Sequence, residues 1–432
     1  MKKWLAKNKK LILMILFTLG ALLVWRLGTK ITIPLVNYTP AQDSSNLFGF
    51  LEIFTGGALS QLSILALGIS PYITASIVIQ LLQMDIVPQF KEWAEEGEAG
   101  KAKLSQWTRY IALLLAFVQA LTIIVSLISS GQASIYFDTD VNIFSYVYMA
   151  LVITAGTAFV MWLADQITMH GIGNGGSMMI VAGIVSSFPS MIVDLVETFI
   201  TKPADTENMG WNITKFVIVT LMFVLIIVAV VWFEGIQRKI PVQYSNRPAA
   251  AQLMGRQDSN IPIKLNSASV IPVIFAATLL SIPLTIVNFV RGGAAATEPD
   301  WWSIVFSTDK PIGFIIYILL IFVFSFFYSF LQIDPDKMAD NLKQQNAYIP
   351  GYKPGEETAD FISRVLFKVT LLGATYLAIL AALPIIFATI FNLPASVSIG
   401  GTSIMIVVGV AIETAKQIKQ ESEEKEYRGL SI

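Results

Sequence analysis

Long apolar segments recur along this chain, and they constrain its fold more than any other feature. Windows of about 20 apolar residues are long enough to cross a lipid bilayer as helices. We predict ten spans, at 11–27, 65–84, 108–129, 142–164, 177–199, 213–233, 268–289, 311–332, 365–386 and 400–416. Only 14% of the residues are charged, against about 25% in a soluble domain. The sequence therefore predicts an all-α polytopic membrane protein.

The distribution of basic residues tests the number of spans. If the chain starts in the cytoplasm, 23 of its 29 Lys and Arg residues lie in or beside cytoplasmic segments. Membrane proteins carry such an excess in their cytoplasmic loops, and one span more or fewer would reverse half of the loops. We therefore predict ten spans with both termini in the cytoplasm.

Ten spans divide into two groups of five that start from opposite sides of the membrane. Such groups form inverted repeats in many membrane proteins and place a working site at their interface. We predict one half-channel at 1–199, a second at 200–416 and a cytoplasmic tail at 417–432. This division rests on the parity of the spans, because the two halves show no convincing sequence identity.

The second predicted span is poorly suited to be a plain membrane anchor. Pro71 removes a backbone donor within it, and lipid supplies no water to replace the lost partner, so this helix should face protein or water. Ile69, Ile73 and Ile77 recur at i, i+4 and i+8 and form one stripe, with Gln80 close to it. A stripe of this kind can equally face lipid or a neighbouring helix. By itself it leaves a pore-lining role open.

The segment 46–60 precedes this span and is also apolar, but the two together exceed one bilayer crossing. Gly56 and Gly57 interrupt it. We therefore predict a short re-entrant helix at 46–60 that enters the bundle without crossing. Irregular backbone at that depth requires surrounding protein or a water-filled cavity.

Two long loops project from the predicted bundle. The loop 234–267 has apolar residues at every second position, Ile240, Val242 and Tyr244, which favours a β-hairpin. The loop 333–364 contains the rigid turn IPGYKPG, which places Lys353 at an exposed tip. Both loops could be solvated connectors, although loops of this length in a compact bundle are commonly functional.

Several features argue against an enzyme. The chain has no cysteine and one histidine, which leaves few ligands for a metal centre and no thiol nucleophile. Residues 171–176 match GxGxxG but join two predicted spans, whereas a dinucleotide site requires a strand before this motif. We therefore predict a tight turn there, and no cofactor or metal.

Acidic residues do not mark the middle of any predicted span. Interfacial solvation is the expected state of the five that lie within or at the edges of spans, which are Asp165, Asp194, Glu197, Glu234 and Glu413. An ion-coupled transporter commonly needs a charge near the bilayer centre. The absence of such a charge from the predicted spans weakens the interpretation of this chain as an ion-coupled transporter.

A set of motifs occurs in a characteristic order along almost the whole chain. They are GGALSQLSILALGISPYITASIVIQLLQ, EGEAGKAKLSQWTRY, MWLADQIT followed by GIGNG, QRKIPVQY, KLN followed by VIPVIFA, ADNLKQQNAYIPGYKPG and GGTSIMIVV. Together they resemble the SecY family, the central subunits of the protein-conducting translocon. The resemblance implies two inverted five-helix halves around a central pore, closed by a re-entrant plug helix.

The resemblance also assigns roles to residues. The pore ring would be formed by Ile69, Ile73, Ile180, Ile274 and Ile406. The plug at 46–60 would contribute Leu47, Phe48, Phe50, Leu51, Ile53 and Phe54. The lateral gate, between span 2 with part of span 3 and spans 7 and 8, would include Ile77, Gln80 and Asn266. Docking to a motor or ribosome would use Arg238, Lys239, Arg247, Arg256 and Lys353.

Three departures from the family pattern involve four positions. Gly176 replaces a bulky aliphatic pore residue, and either Met178 or Met179 could compensate for it. Lys353 replaces an arginine and lacks its planar, bidentate fork. At the tip of the loop 234–267, Ala251 and Gln252 stand where the family has a basic pair.

The resemblance implies a protein-conducting channel in the cytoplasmic membrane of a bacterium. Its partners would be the small subunits SecE and SecG, the motor ATPase SecA, the ribosome, an unfolded preprotein or signal peptide, and the lipid bilayer. Ribosomal RNA would be its only nucleic-acid contact. The alternatives are a secondary transporter with inverted repeats, a polytopic membrane enzyme, and an accessory SecY for a restricted set of substrates.

Overall fold

Apolar helices recur throughout the part of the chain that the computed structural model describes. It describes residues 9–34, 36–38, 55–83, 87–129, 133–135, 143–201, 209–244, 259–290, 301–308, 310–391, 393 and 395–429. The helices are α1 (Lys9–Gly28), α2 (Ser70–Leu82), α3 (Pro88–Glu95), α4 (Glu98–Ser129), α5 (Ile143–His170), α6 (Gly175–Val196), α7 (Met209–Glu234), α8 (Ile271–Val290), α9 (Trp301–Phe306), α10 (Pro311–Gln332), α11 (Pro335–Gln344), α12 (Glu356–Phe391) and α13 (Ala395–Gly429).

Ten of these helices coincide with the predicted spans. Within the described residues, eight are long and apolar enough to cross a membrane, and two shorter apolar helices lie at Ser70–Leu82 and Ile271–Leu284. α4 and α12 begin about ten residues before the predicted boundaries, because hydropathy detects only the part of a helix that lies in lipid. The predicted number of spans is confirmed.

The start of α2 corrects one prediction. Pro71 was expected to remove a backbone donor inside the helix, but α2 begins at Ser70, so Pro71 occupies the first turn, where its missing N–H needs no partner. The residues before α2 form turns, with positive φ at Leu62 and Gly68. This irregular backbone lies inside protein: a β-carbon on Gly156 of α5 would overlap the carbonyl oxygen of Ile64.

Contacts between neighbouring helices form a closed circuit. It runs from α4 through α5, α6, α13, α12, α10 and α8, and α8 then contacts α4. Two contacts in this circuit join the first five spans to the last five, and we call them the α6–α13 seam and the α4–α8 seam. α2 contacts both α4 and α8, so it lies at the α4–α8 seam.

A three-stranded sheet forms at one end of the helices. β3 (Gln237–Tyr244) pairs antiparallel with β4 (Ser259–Lys264) and with the short β5 (Ala347–Tyr348). The predicted hairpin is confirmed, with Ile240 and Val242 buried, whereas Tyr244 is exposed at the end of its strand. The sequence missed that the loop 333–364 supplies both β5 and α11. A second, two-stranded sheet pairs β1 (Val36–Tyr38) antiparallel with β2 (Ala133–Ile135).

Candidate functional site

The five predicted ring residues share one apolar cluster. Ile69, Ile180, Ile274 and Ile406 belong to it and are 3%, 6%, 7% and 3% exposed. Ile73 is half-buried and packs against the same cluster. These side chains come from α2 and the turn before it, and from α6, α8 and α13, so the cluster includes residues from both sides of each seam. Their role in sealing a pore stays a prediction.

Gly176, which departs from the family pattern, lies beside a ring residue of the cluster. A β-carbon on Gly176 would lie 3.8 Å from Cδ1 of Ile69, so a larger side chain at this position would cover Ile69. Met179 is buried within the cluster, and Met178 packs against it. Both candidate methionines thus contact the cluster, while compensation for Gly176 by either of them stays a prediction.

The predicted gate residues lie on both sides of the α4–α8 seam, each held within its own half. Ile77 on α2 is buried in the central cluster. The amide of Gln80 donates to Oγ of Ser76 at 3.2 Å, within the same helix. Asn266 is buried in the turn before α8, and its backbone packs against Gly373 of α12.

Two buried amide oxygens, one on α2 and one on α4, have no partner among the described residues. Oε1 of Gln80 on α2 and Oε1 of Gln119 on α4 are buried and have no hydrogen-bond partner among the described residues. A buried acceptor without a partner costs on the order of 1–3 kcal/mol. Sequence reasoning missed Gln119, although it is a glutamine within the predicted span 108–129 and this could have been noticed.

The end of the predicted plug segment is held between α1 and α6. Nη1 of Arg26 donates to the carbonyl oxygen of Gly56 at 2.8 Å and to Oγ of Ser186 at 3.2 Å. Gly56 and Gly57 both have positive φ, which confirms the predicted interruption. The sequence identified Arg26 only as one of the outer basic residues, because its partners are distant along the chain.

The predicted plug side chains cannot be placed. The described part of the segment 46–60 begins at residue 55. The plug predictions for Leu47, Phe48, Phe50, Leu51, Ile53 and Phe54 lie outside the described residues.

Basic side chains lie exposed at the end of the molecule that carries the sheet. Arg238 and Lys239 project from β3. The side chain of Lys353 is 86% exposed, with Nζ 3.7 Å from Oε1 of Glu357. The predicted exposure of Lys353 is confirmed, and Arg238 and Lys239 are exposed as well, while the docking role of all three stays a prediction. Arg247 and Arg256 lie outside the described residues.

The expected interfacial solvation is wrong for Glu234. This residue ends α7 and is 8% exposed, and its carboxylate lies 3.9 Å from Nζ of Lys416 on α13. The expectation failed because hydropathy places Glu234 at a helix end, whereas α13 covers that end. Asp165 is paired as well, with its Oδ2 2.8 Å from Nη2 of Arg109 at the start of the apolar part of α4.

The fold and the apolar centre define a class of protein: a polytopic membrane protein of ten helices in two halves that enclose a cluster of aliphatic side chains. A comparison with protein-family models gives the family. The SecY model matches residues 63–415, and the chain belongs to the SecY family.

Relatives with established names cover almost the whole chain. It is 44% identical to the protein translocase subunit SecY of Bacillus subtilis (strain 168) over 417 residues, which are 96% of this chain and 95% of that protein. It is 42% identical to the protein translocase subunit SecY of Staphylococcus carnosus (strain TM300) over 429 residues, which are 98% of this chain and 97% of that protein.

Solved structures share the fold. A protein-conducting channel matches with a TM-score of 0.65 at 19% identity, covering 98% of this chain and 95% of that one. Sec61 in a canine ribosome-channel complex from the endoplasmic reticulum matches with a TM-score of 0.64 at 17% identity, with the same coverage. The family and the named relatives confirm the function predicted from the sequence: the chain is a SecY-family subunit of a protein translocase and not an enzyme. The comparisons favour this function over the transporter, the enzyme and the accessory translocon.

Proposed function

We propose that the ring of Ile69, Ile73, Ile180, Ile274 and Ile406 is the constriction through which an unfolded chain passes. One observation carries the proposal: these side chains share a single apolar cluster with contributions from both sides of each seam. An aliphatic ring offers no hydrogen bonds, so it excludes water and ions at rest. Hydrophobic contact is non-directional, so the ring can enclose a moving chain with little preference for its sequence.

The α4–α8 seam is the proposed exit for membrane segments into lipid. Ile77 of α2 packs across the centre at this seam, and Gln80 carries an acceptor without a described partner. A passing signal peptide or a lipid-facing water could satisfy that acceptor once the seam parts. Asn266 at the base of α8 would follow the movement of its helix. The segment 46–60 is the proposed plug, which would close the channel beyond the ring.

The sheet end is the proposed docking surface for the partner that supplies energy. Arg238, Lys239 and Lys353 are exposed there, and Arg247 and Arg256 belong to the same loops. A basic surface attracts acidic protein surfaces and ribosomal RNA, and one structural relative is Sec61 in a ribosome-channel complex. We propose the motor ATPase SecA or the ribosome as this partner, with SecE and SecG as accompanying small membrane subunits.

The proposed location is the cytoplasmic membrane of a bacterium, with both termini and the sheet end in the cytoplasm. The excess of Lys and Arg at the predicted cytoplasmic segments supports this orientation. In this arrangement 1–199 and 200–416 form the two half-channels and 417–432 is a cytoplasmic tail.

A cross-linking experiment tests the ring. The chain contains no cysteine, so a cysteine introduced by Ile274→Cys is its only thiol. A secretory chain with one cysteine is stalled in transit and oxidised. We expect a disulfide between the two chains, because Ile274 is 7% exposed and lies in the proposed constriction.

The matched control is Ile286→Cys on the same helix, where the side chain is 57% exposed on the outer surface. Equal cross-linking at both positions, or cross-linking only at residue 286, would contradict the ring assignment. Ile73→Cys on α2 provides a second ring position from the other half of the channel.

A further inference from the structure

The glycine-rich turn between α5 and α6 has no role in the function described so far. Its residues 171–174 connect two spans at the sheet end, which agrees with the predicted tight turn. Gly173 has a φ of +86°, a conformation that favours glycine. A β-carbon on Gly175 would overlap the carbonyl oxygen of Ala164. Because these glycines lack a β-carbon, the backbone at the turn can lie close to α5.

Three hydrogen bonds of 2.9 Å hold the backbone of this turn. The N–H of Ile172 donates to Oγ1 of Thr18 on α1, and the N–H of Gly175 donates to Oγ1 of Thr168 on α5. Both bonds stay within the first half of the channel. The third is different, because the N–H of Gly173 donates to Oε1 of Gln417 on α13, which belongs to the second half.

At the level of the Gly173–Gln417 bond, α13 is also attached to α7 of the second half of the channel. Nζ of Lys416 lies 3.4 Å from the carbonyl oxygen of Glu234 and 3.9 Å from its carboxylate, at the end of α7. One turn earlier, Oγ1 of Thr414 lies 3.8 Å from Sδ of Met178 on α6. Lys416 therefore connects α13 to α7, and Gln417 connects it to the turn of the other half.

The turn also determines where α6 presents its part of the ring. Asn174 caps α6 by accepting from the N–H of Gly176 at 3.0 Å. Gly176 faces Ile69, and Ile180 follows one helical turn later. A displacement of Gly173 would be transmitted to these ring positions, because only one cap and one helical turn separate them.

We propose that Gln417 is a positioning residue that holds the 171–174 turn against α13, so that α6 completes the closed ring. This inference rests on the proposed ring. The side-chain carbonyl oxygen of Gln417 acts on the ring through the turn. The α6–α13 seam therefore stays joined at the sheet end while the channel rests.

The test compares the resting ion conductance of purified channels in planar bilayers. Gln417→Leu removes the acceptor and keeps the size of the side chain. We expect resting conductance to rise about two- to fivefold, which the loss of one exposed hydrogen bond allows. Gln417→Glu keeps an acceptor oxygen and should conduct at the wild-type level. Gln420→Leu makes the same change at an exposed position one turn later and should have no effect.

A second measurement separates positioning from a general loss of packing. Met178→Cys and Thr414→Cys are combined, with and without Gln417→Leu, and joined by a short bifunctional thiol reagent. The bridge replaces the lost contact, so the bridged Gln417→Leu channel should conduct at the same level as the bridged channel that keeps Gln417. Persistent leak after bridging, unchanged conductance in Gln417→Leu, or equal leak in Gln417→Glu would each overturn the inference. Ile406→Asn is measured in parallel. If it leaks and Gln417→Leu does not, the positioning role alone fails; if neither leaks, the ring assignment fails too.

Discussion

At the α6–α13 seam, a backbone N–H of the 171–174 turn donates to Gln417, and Thr414 lies against Met178. At the α4–α8 seam, the central apolar cluster includes Ile77 of α2 and Ile274 of α8. The unpartnered amide oxygen described at this seam belongs to Gln80. Both seams are therefore packed by the same apolar cluster, and the α6–α13 seam carries these polar ties in addition.

The difference has a physical consequence in a membrane. Acyl chains are as apolar as the helix faces they would replace, so separating apolar helices in lipid loses little hydrophobic free energy. The exposed bond between Gly173 and Gln417 adds a modest net stabilisation to the α6–α13 seam, on the order of 0.5–1.5 kcal/mol. We therefore expect the α4–α8 seam to part toward lipid while the α6–α13 seam remains joined.

The largest expected effect concerns the ring, which connects the two seams. Ile274→Asn and Ile406→Asn each place an amide at a position that is at most 7% exposed. An unpaired buried amide costs on the order of 1–3 kcal/mol and attracts water, so we expect resting ion conductance to rise about tenfold or more. The rise is measured as the resting ion conductance of each variant in planar bilayers.

Ile379→Asn on α12 is the matched control, because its side chain is 57% exposed on the outer surface of the bundle. It should leave the conductance unchanged. A leak from Ile274→Asn without one from Ile406→Asn would show that the seal lies at the α4–α8 seam alone and that the ring is not continuous.

A smaller effect is expected from Gln80→Leu, which removes the unpartnered acceptor on α2. The closed α4–α8 seam should become more stable, because a buried unsatisfied group costs on the order of 1 kcal/mol or more. We expect insertion of a marginally hydrophobic membrane segment to slow by about fivefold, as measured by protease protection in vesicles.

Secretion through the ring should change less than membrane insertion in this variant. Gln344→Leu makes the same substitution at an exposed position on α11 and serves as the control. Faster insertion by Gln80→Leu would mean that the amide stabilises the closed seam, and the proposed contrast between the seams would be wrong.

The smallest effect is expected at Lys353, which lies outside both seams. Lys353→Glu places a second carboxylate next to Glu357, whose Oε1 lies 3.7 Å from the lysine Nζ. Exposed charges contribute at most about 1 kcal/mol, so motor-driven transport should fall about two- to fivefold. ATP-dependent uptake of a preprotein by vesicles measures this change.

Lys353→Arg keeps the charge and should preserve or increase transport. Resting conductance should be unaffected by either substitution, because neither seam contacts this loop tip. Normal transport by Lys353→Glu would remove the residue from the docking surface.

Much of the architecture followed from the sequence. Hydropathy and basic residues predicted ten spans, because a helix in lipid must be apolar over a fixed length and its cytoplasmic flanks must be basic. Alternation predicted the hairpin around Ile240 and Val242. It missed β5 and α11, because Ala347 pairs with Tyr244 across more than 100 residues of chain.

The site was partly predictable. The isoleucine stripe gave one face of α2, and the family resemblance joined it to α6, α8 and α13. Glu234 was misjudged, because its burial depends on Lys416 of a helix that follows much later. Gln119 carried a local signal that was missed, a polar amide within an apolar span. Arg26 and Gln417 carried none, since their partners come from other parts of the chain.

By itself, the sequence determined which segments enter the membrane and which surfaces stay in water. Those choices depend on free energies of transfer that each segment incurs separately, so local composition is sufficient to read them. The tertiary structure decided which helices meet at each seam, where Gln80 lacks a partner and where Gln417 finds one. Such contacts join residues far apart in the chain, and their geometry exists only when the two halves are packed together.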